Sequence, residues 1–462
     1  MTGPGTDLLG GFTPTPRARA SSLLVALTAV GALTVAAAGV ATAAVFASGG
    51  THADDVLPRD AVAALTVDLD PAADQKVAAY RLTKKFPQLK TRGEGTVISD
   101  LLRQALESTD QVDFAKDVEP WLGDRIGIAA VPAGDTVAPV VAVQVTDRDK
   151  ARTGLRKLIA DSEEDVAFAF VADEDWAVLA PTQQLADRYA AADEHLGDTD
   201  AYTEAVAELK GNQVATAWVD VAGAYAAAPD ELRGSVEPKG YVVAGVHVGD
   251  AFLEVTGESI GVAEKNAALT KPTRLVQQLP SDVVAAVGAA GVGEALQKGL
   301  KQQQAAVAQL EQLTGLSVAD DLPALLGTDA VVALLGEGGS PGFAVRTTTK
   351  DPDRALTSLQ RVLQTLGDPA LVRRTSDGLV GGSTAAVVDR VAADGTLGEQ
   401  DAFRRAVPDA DDAGLVVFVD VPRAVRLFGP DSSQLERVEA FGMTASADSS
   451  GDGSFRLRVT FR

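Results

Sequence analysis

The sequence of 462 residues contains no cysteine. This absence excludes disulfide bonds, thiol nucleophiles, thiolate metal ligands and a lipidated N-terminal cysteine. Hydrophobic residues make up 46% of the chain and charged residues 23%, which are proportions typical of globular proteins. We therefore expect about two to three folded domains that core burial alone stabilises.

Histidine is almost as scarce, since the chain has only His52, His195 and His247. Their scattered positions match no zinc-site spacing. Residues 257–261 (GESIG) match the G-x-S-x-G motif of a nucleophile elbow, in which the serine works with a histidine that follows it in the chain. All three histidines precede Ser259, so we interpret this motif as the end of a β-hairpin rather than as an elbow.

Basic residues are outnumbered, with 41 lysines and arginines against 64 aspartates and glutamates, and the formal net charge is −23. A field of this sign repels phosphate backbones and the anionic heads of lipids. The sequence therefore predicts no nucleic-acid partner. The same carboxylates also have a simpler interpretation, which is that they keep the surface of the protein soluble.

Two glycine-rich segments resemble ligand-binding loops but depart from them at a required position. Residues 283–293 (VVAAVGAAGVG) resemble a strand that leads into a dinucleotide-binding loop, yet Leu296 stands where the third glycine belongs. Residues 448–453 (DSSGDG) resemble the start of a calcium loop, yet its last ligand position is Val459 and not glutamate. We interpret both as turns. The sequence thus predicts no catalytic residue, no cofactor-binding residue, no metal ligand and no cofactor.

Residues 21–46 are mostly alanine, valine and leucine, and no acidic residue, lysine or arginine lies between Arg19 and His52. As a helix, this stretch would span roughly 39 Å, enough for a hydrocarbon core of about 30 Å. Arg17 and Arg19 precede it, so the positive-inside rule predicts a cytoplasmic N-terminus and an ectodomain outside. The predicted localisation is the cell membrane, with a single pass, and the membrane is a predicted partner through this N-terminal helix. A cleaved signal peptide is the alternative, because residues 41–43 (ATA) fit a cleavage pattern.

Several segments of the chain match segments about 200 residues later, as an internal duplication would produce. The offset changes only between predicted elements, as differences in loop length would cause. The matched sets are Asp117, Trp121, Leu122 and Gly123 with Asp321, Leu325, Leu326 and Gly327; Thr182, Asp187 and Arg188 with Thr384, Asp389 and Arg390; and Val219, Asp220 and Val221 with Val419, Asp420 and Val421.

The predicted fold class is α+β: two tandem repeats of a mainly antiparallel sheet covered by helices on one face, preceded by one N-terminal transmembrane helix. Whether the two repeats share a continuous sheet or pack about a pseudo-two-fold axis stays open at this point. The predicted segments are a cytoplasmic tail (1–20), the transmembrane helix (21–47), a linker (48–56), ectodomain repeat 1 (57–265), a second linker (266–278) and ectodomain repeat 2 (279–462).

Hydrophobic periodicity and turn residues also place individual elements. The pattern predicts strand pairs at 125–131 with 137–145, at 241–248 with 251–256 and at 442–447 with 454–461, a helix at 293–313 and an insertion at 80–96.

Four single residues have structural interpretations. Trp121 and Trp218 occupy core-like positions, and Asp220 and Asp420 follow strands, where a carboxylate caps the next turn or helix.

Residues 120–124 (PWLGD), residues 57–60 (LPRD) and the N-terminal apolar stretch together resemble a family of bacterial, mainly actinobacterial, membrane-anchored proteins that is classed only as a domain of unknown function. The resemblance implies an anchored topology and no particular chemistry.

We expect a non-catalytic, membrane-anchored extracytoplasmic module that binds an unknown envelope protein or polymer, or has a structural role in the cell envelope. A carrier or sensor of an apolar molecule is one alternative, because a curved sheet covered by helices can enclose an apolar groove. A carboxylate-based hydrolase is the other alternative, and it requires two carboxylates that converge in one cleft.

Overall fold

The computed structural model describes the following residues: 52–68, 75, 77–78, 81–82, 113–134, 136–160, 165–228, 238–262, 269–291, 293, 311, 317–337, 339–366, 371–429 and 435–462. The strands are β1 (Ala63–Asp68), β2 (Leu122–Pro132), β3 (Val137–Val145), β4 (Ala167–Phe170), β5 (Trp176–Ala180), β6 (Ala215–Asp220), β7 (Tyr241–Gly249), β8 (Phe252–Ile260), β9 (Ala285–Ala290), β10 (Asp329–Glu337), β11 (Ser340–Thr348), β12 (Leu371–Arg374), β13 (Gly378–Gly382), β14 (Leu415–Asp420), β15 (Val438–Ala447) and β16 (Gly453–Phe461).

Helices alternate with these strands along the chain. The α-helices are α1 (Phe114–Asp117), α2 (Arg148–Ala160), α3 (Gln183–Ala190), α4 (Asp200–Ala207), α5 (Val221–Ala226), α6 (Val318–Leu326), α7 (Pro352–Leu366), α8 (Ala385–Ala392), α9 (Asp401–Ala406) and α10 (Val421–Phe428). Short 3-10 helices lie at Ala53–Asp55, Leu196–Asp198, Leu397–Glu399 and Leu435–Arg437.

All sixteen of these strands belong to one sheet, and every neighbouring pair is antiparallel. The order across the sheet is β12-β13-β11-β10-β9-β14-β15-β16-β8-β7-β6-β1-β2-β3-β5-β4. Strands β1 to β8 occupy one side and β9 to β16 the other. The two sides meet where β8 pairs with β16, and we call this junction the seam.

The predicted fold class, α+β with two tandem repeats and a transmembrane helix, is wrong. The strands form a single antiparallel sheet rather than two repeat units, because backbone pairing runs without interruption across the seam. The strand orders counted from the two outer edges correspond, but the inner strands β8 and β16 pair with each other. An unpaired strand edge is open to association with any other strand, and the seam closes two such edges at once.

The predicted localisation, a single pass through the cell membrane with the ectodomain outside, is also corrected. Among the described residues, no helix combines the length and the apolar character needed to cross a bilayer. The longest of them, α7, has 15 residues, which corresponds to about 22 Å against a hydrocarbon core of about 30 Å. The predicted span at 21–47 and the tail at 1–20 lie outside the described residues, and the other predicted segment boundaries stay predictions.

Helices cover both faces of the sheet, not one face as expected. On β3, Val140 and Ala142 belong to the core formed with α3 and α4, whereas Val141 and Val143 belong to a second core formed with α1 and α2. Successive side chains of a strand point to opposite faces, so these two cores lie on opposite sides of the sheet. A strand with helices on both sides buries both of its faces, which explains why β3 is apolar apart from Gln144.

Most locally predicted elements that fall on described residues are found. The three predicted strand pairs correspond to β2 with β3, β7 with β8, and β15 with β16. Trp121 and Trp218 are buried, as expected of core residues. The predicted helix at 293–313 and the insertion at 80–96 fall almost wholly outside the described residues.

Residues that match between the two halves of the sequence form equivalent helix caps on the two sides of the seam. Thr182 and Thr384 each accept a hydrogen bond at the N-terminus of a helix, from the backbone N–H of Leu185 and Val387 respectively. The carboxylates of Asp220 and Asp420 cap α5 and α10, as the sequence predicts.

Ion pairs recur in the same way. Arg188 pairs with Asp60 at 3.1 Å, and Arg390 pairs with Asp282 at 2.5 Å. Lys157 on α2 pairs with Asp117, and Arg361 on α7 pairs with Asp321. Each side of the sheet thus has its own copy of these caps and ion pairs. The seam, in contrast, occurs once and is formed by one strand from each side.

Replacement of Gly257 by alanine should destabilise the protein, because the new methyl group would overlap the ring of Phe455 across the seam and lie 2.7 Å from the carbonyl oxygen of Val243. We expect the free energy of unfolding to fall by about 1–3 kcal/mol. The matched control is Gly336→Ala in β10, where no atom lies within 4 Å of the added methyl group, and we expect a change within about 0.5 kcal/mol. Urea denaturation measures both, and equal losses would contradict the close packing at the seam.

Candidate functional site

A cleft of about 130 Å³ opens on one face of the seam. Its walls come from β8, β15 and β16, from the residues that follow α4 and from the loop that precedes β14. We call it the seam cleft. Its charged lining residues are Glu208, Lys210, Glu258, Asp409, Asp412 and Arg456.

The alternation of β8 and β16 determines which side chains reach the cleft. Thr256 lies opposite Arg456 in the antiparallel register, and Glu258 lies opposite Ser454. Side chains opposite each other in a sheet share a face, so these polar residues line one side of the seam. Val255 and Leu457, which adjoin Thr256 and Arg456, form a pair that faces the other side.

A buried ion network crosses the seam beside the cleft. Glu254 of β8 is only 6% exposed. Its carboxylate accepts hydrogen bonds from Arg456 Nη1 at 2.7 Å and from Arg458 Nε at 2.6 Å, both from β16. Charge-assisted hydrogen bonds of this kind offset the desolvation of a buried carboxylate, which alone would be strongly unfavourable. Charges from the two sides of the sheet therefore hold each other in place.

Two carboxylates of the protein offset the positive charge of Arg456. Its Nε donates to Asp409 Oδ2 at 2.6 Å, in addition to the bond that Nη1 makes with Glu254. Burial by itself would lower the pKa of Arg456, but the hydrogen bond and charge of Glu254, together with Asp409, raise that pKa. Arg456 therefore stays protonated and contributes little net positive charge to the cleft.

Glu258 lines the cleft and, like Glu208 and Asp412, makes no ion pair in this network. The ion pairs of the seam join Arg456 to Glu254 and Asp409, and Arg458 to Glu254. Burial raises the pKa of Glu258, the negative charge of Glu208 raises it further, and Lys210 and Arg456 oppose the shift only in part. The cleft thus contains a half-buried carboxylate whose charged form is less favourable than that of an exposed glutamate.

The GESIG motif lies in the same strand but forms no elbow. Its residues up to Ile260 belong to β8, and Gly261 follows the strand with a φ of +65°. The Oγ atom of Ser259 accepts a hydrogen bond from the backbone N–H of Gly453 at 3.1 Å. A serine inside a paired strand lacks the exposed strand-to-helix turn that an elbow requires.

The DSSGDG segment forms the hairpin turn between β15 and β16. Asp448 Oδ1 accepts hydrogen bonds from the backbone N–H groups of Ser450, Gly451 and Asp452. The hydroxyl of Ser450 and these backbone groups lower the pKa of Asp448. Asp452 Oδ1 accepts from the N–H of Gly261 at 2.6 Å, so the turn also ties the two sides of the seam together.

The glycine-rich segment at 283–293 contains strand β9 and the turn that follows it. A side chain at Gly288 would overlap Val276, which packs against the strand, and Gly291 has a φ of +72°. Close packing and a left-handed turn account for these two glycines without a nucleotide.

None of the three histidines lines the seam cleft. His195 precedes the 3-10 helix Leu196–Asp198, and His247 in β7 contacts Gln75 and the carbonyl oxygen of Asn212. Within the part of the chain that the structure describes, no group of three or more histidine and acidic residues is arranged to hold a metal ion.

Sequence reasoning did not single out Glu208, Glu254, Glu258 or Arg456. The available signal is a charged residue at alternate positions of otherwise apolar strands, as in β8 and β16. That signal marks a polar face but does not say which distant strand lies beside it.

Residues 20–378 match the model of a family described as "Protein of unknown function (DUF3352)". The chain belongs to this family. No curated protein and no solved structure matches it. In this family member, β8 and Glu258 lie inside the matched residues, whereas β16, Asp409 and Arg456 lie beyond them. The seam cleft therefore combines the matched part of the chain with the part that follows it.

Removal of the Glu254 charge should weaken the fold strongly. Glu254→Gln leaves Arg456 and Arg458 beside a neutral amide in a buried setting, and we expect a loss of about 3–5 kcal/mol in the free energy of unfolding. The matched control is Glu194→Gln, which breaks an ion pair with Arg59 whose side chains are 68% and 52% exposed. There we expect about 0–1 kcal/mol. Urea unfolding at neutral pH compares the two, and a loss at Glu254 no larger than that of the control would show that the network adds nothing to stability.

Proposed function

We propose that this protein is a non-catalytic binding module that takes a positively charged group of a protein or polymer partner into the seam cleft. The observation that carries the proposal is the half-buried Glu258, which lies beside Glu208 with no ion pair in the seam network.

The charge balance of the cleft supports a cationic ligand. Arg456 is offset by Glu254 and Asp409, and Lys210 is the other cation that lines the cleft with Glu208, Glu258 and Asp412. An ammonium or guanidinium group placed between Glu208 and Glu258 would reduce the repulsion between the two carboxylates. The net charge of −23 for the whole chain would also attract such a group over a longer distance.

The size of the cleft favours one side-chain group over a whole small molecule. Pockets for drug-sized ligands measure about 300–1,000 Å³, whereas the seam cleft measures about 130 Å³. A lysine or arginine head, or a single amino group of a polymer, suits a volume of this order. The rest of such a partner would lie outside the cleft, on the surface.

An organic cation fits the described residues better than a metal ion does, because no three or more acidic or histidine residues among them are arranged to hold a metal ion. The excess of acidic residues continues to speak against a nucleic-acid partner. We also infer, from the resemblance of its PWLGD and LPRD segments, that this family member comes from a bacterium and that its relatives are mainly actinobacterial.

A carboxylate-based hydrolase is the second candidate, and one observation favours it. Glu208 and Glu258 line the same cleft, and the pKa of Glu258 is raised by burial and by its neighbour, as in an acid–base pair. The polar lining of the cleft gives no support to an apolar carrier. Turnover of a glycan or peptide polymer that Glu258→Gln abolishes would favour the hydrolase over the binding module.

The binding proposal is tested with a pentalysine peptide with blocked termini, titrated calorimetrically into the full chain at low ionic strength. We expect binding that weakens as salt is added, because the cleft is open to solvent. Glu258→Gln and Glu208→Gln should each weaken binding by roughly fivefold to tenfold, which is about 1–1.4 kcal/mol.

The matched control is Glu204→Gln, an exposed carboxylate on α4 that does not line the cleft. This variant should bind pentalysine as the unchanged protein does. Equal losses in all three variants, or no binding to the unchanged protein, would contradict the proposal.

A further inference from the structure

We propose that occupation of the seam cleft by a cation is linked to the release of a proton from Glu258, so that the affinity of the cleft for its cationic partner falls as the pH falls. This inference rests on the proposed function and adds a regulatory property to the same site.

Neither strand that flanks Glu258 in the sheet places a cation directly opposite it. Its neighbours in the register are Ser454 on β16 and Val243 on β7. A hydroxyl group and an aliphatic side chain on the two flanking strands cannot neutralise a carboxylate. The nearest residue of β8 on the same face with a charge is Glu254, which is itself acidic and already bound to Arg456 and Arg458.

The other charged groups around Glu258 come from three elements. The segment after α4 contributes Glu208 and Lys210, β16 contributes Arg456, and the loop before β14 contributes Asp409 and Asp412. Arg456 forms ion pairs with both Glu254 and Asp409. Lys210 is therefore the one cation among these lining groups that has no carboxylate bound in the seam network, and its charge acts on Glu258.

These surroundings determine the direction of the titration. Burial is the largest cause that raises the pKa of Glu258, and the charge of Glu208 is the next. A cation bound in the cleft acts in the opposite direction and lowers that pKa, because it stabilises the charged carboxylate. Between the pKa values of the free and the occupied cleft, binding must expel a proton.

The sign of the pH dependence follows from this linkage. Below the raised pKa of the free cleft, Glu258 is protonated and the affinity for a cation falls as the pH falls, by up to about tenfold per pH unit. Above that pKa, the carboxylate is already charged and the affinity is constant. An exposed glutamate titrates in the acidic range. Because the pKa of Glu258 is raised, the pH window in which the affinity changes lies closer to neutral pH than that.

Calorimetric titration of the full chain with pentalysine, in two buffers of different ionisation enthalpy and from mildly acidic to neutral pH, tests the inference. We expect the release of up to about one proton per bound peptide within the window and none above it. Glu258→Gln should bind more weakly at neutral pH but with the same affinity throughout the range. Glu208→Gln should keep the pH dependence and move it to lower pH, because the neighbour that raises the pKa of Glu258 is gone.

The outcomes separate the two proposals. Binding without proton release, or full pH dependence in Glu258→Gln, would overturn the proton linkage while the binding function stands. No binding of pentalysine at any pH would overturn both. Glu204→Gln serves again as the control and should show the same proton release as the unchanged protein.

Discussion

The pairing of β8 with β16 is the interaction on which the rest of the structure depends. It joins eight strands from each side into one sheet and removes two strand edges that would otherwise be open. Glu254 reinforces this pairing, because its buried carboxylate binds two arginines of the opposite strand. A buried charge with these partners is favourable only in this one register, since a slip by one residue would turn the arginines to the other face.

The chemistry of the cleft follows from the same pairing. Arg456 forms ion pairs with Glu254 and Asp409, and its charge offsets the raised pKa of Glu258 only in part. The network that stabilises the seam therefore leaves a carboxylate near Glu208 in an environment that disfavours its charge. The pairing of β8 with β16 is thus the common cause of the stability at the seam and of the acidic lining of the cleft. A site that only binds a cation needs no reactive residue.

Local features of the fold were predictable from the sequence because they depend on residues close together in the chain. Thr182 and Asp220 cap the helices that directly follow them, and the turn at residues 448–453 closes its own hairpin. Residues 257–261 were interpreted as the end of a β-hairpin, and residues 257–260 form the end of β8. The predicted division into two repeat units failed, because matched segments specify equivalent local structures but not whether their inner edges pair.

The sequence by itself determined the strands, the caps, the turns and the acidic character of this protein, because each depends on neighbouring residues or on composition. Only the tertiary structure decided that Glu208 and Glu258, on separate elements, share a cleft with Asp409 and Arg456. The physical reason is that strand alternation fixes the face on which a side chain lies, whereas the strand beside it is selected by packing and by charge pairing over long separations. The half-buried setting of Glu258 exists only once β16 lies beside β8.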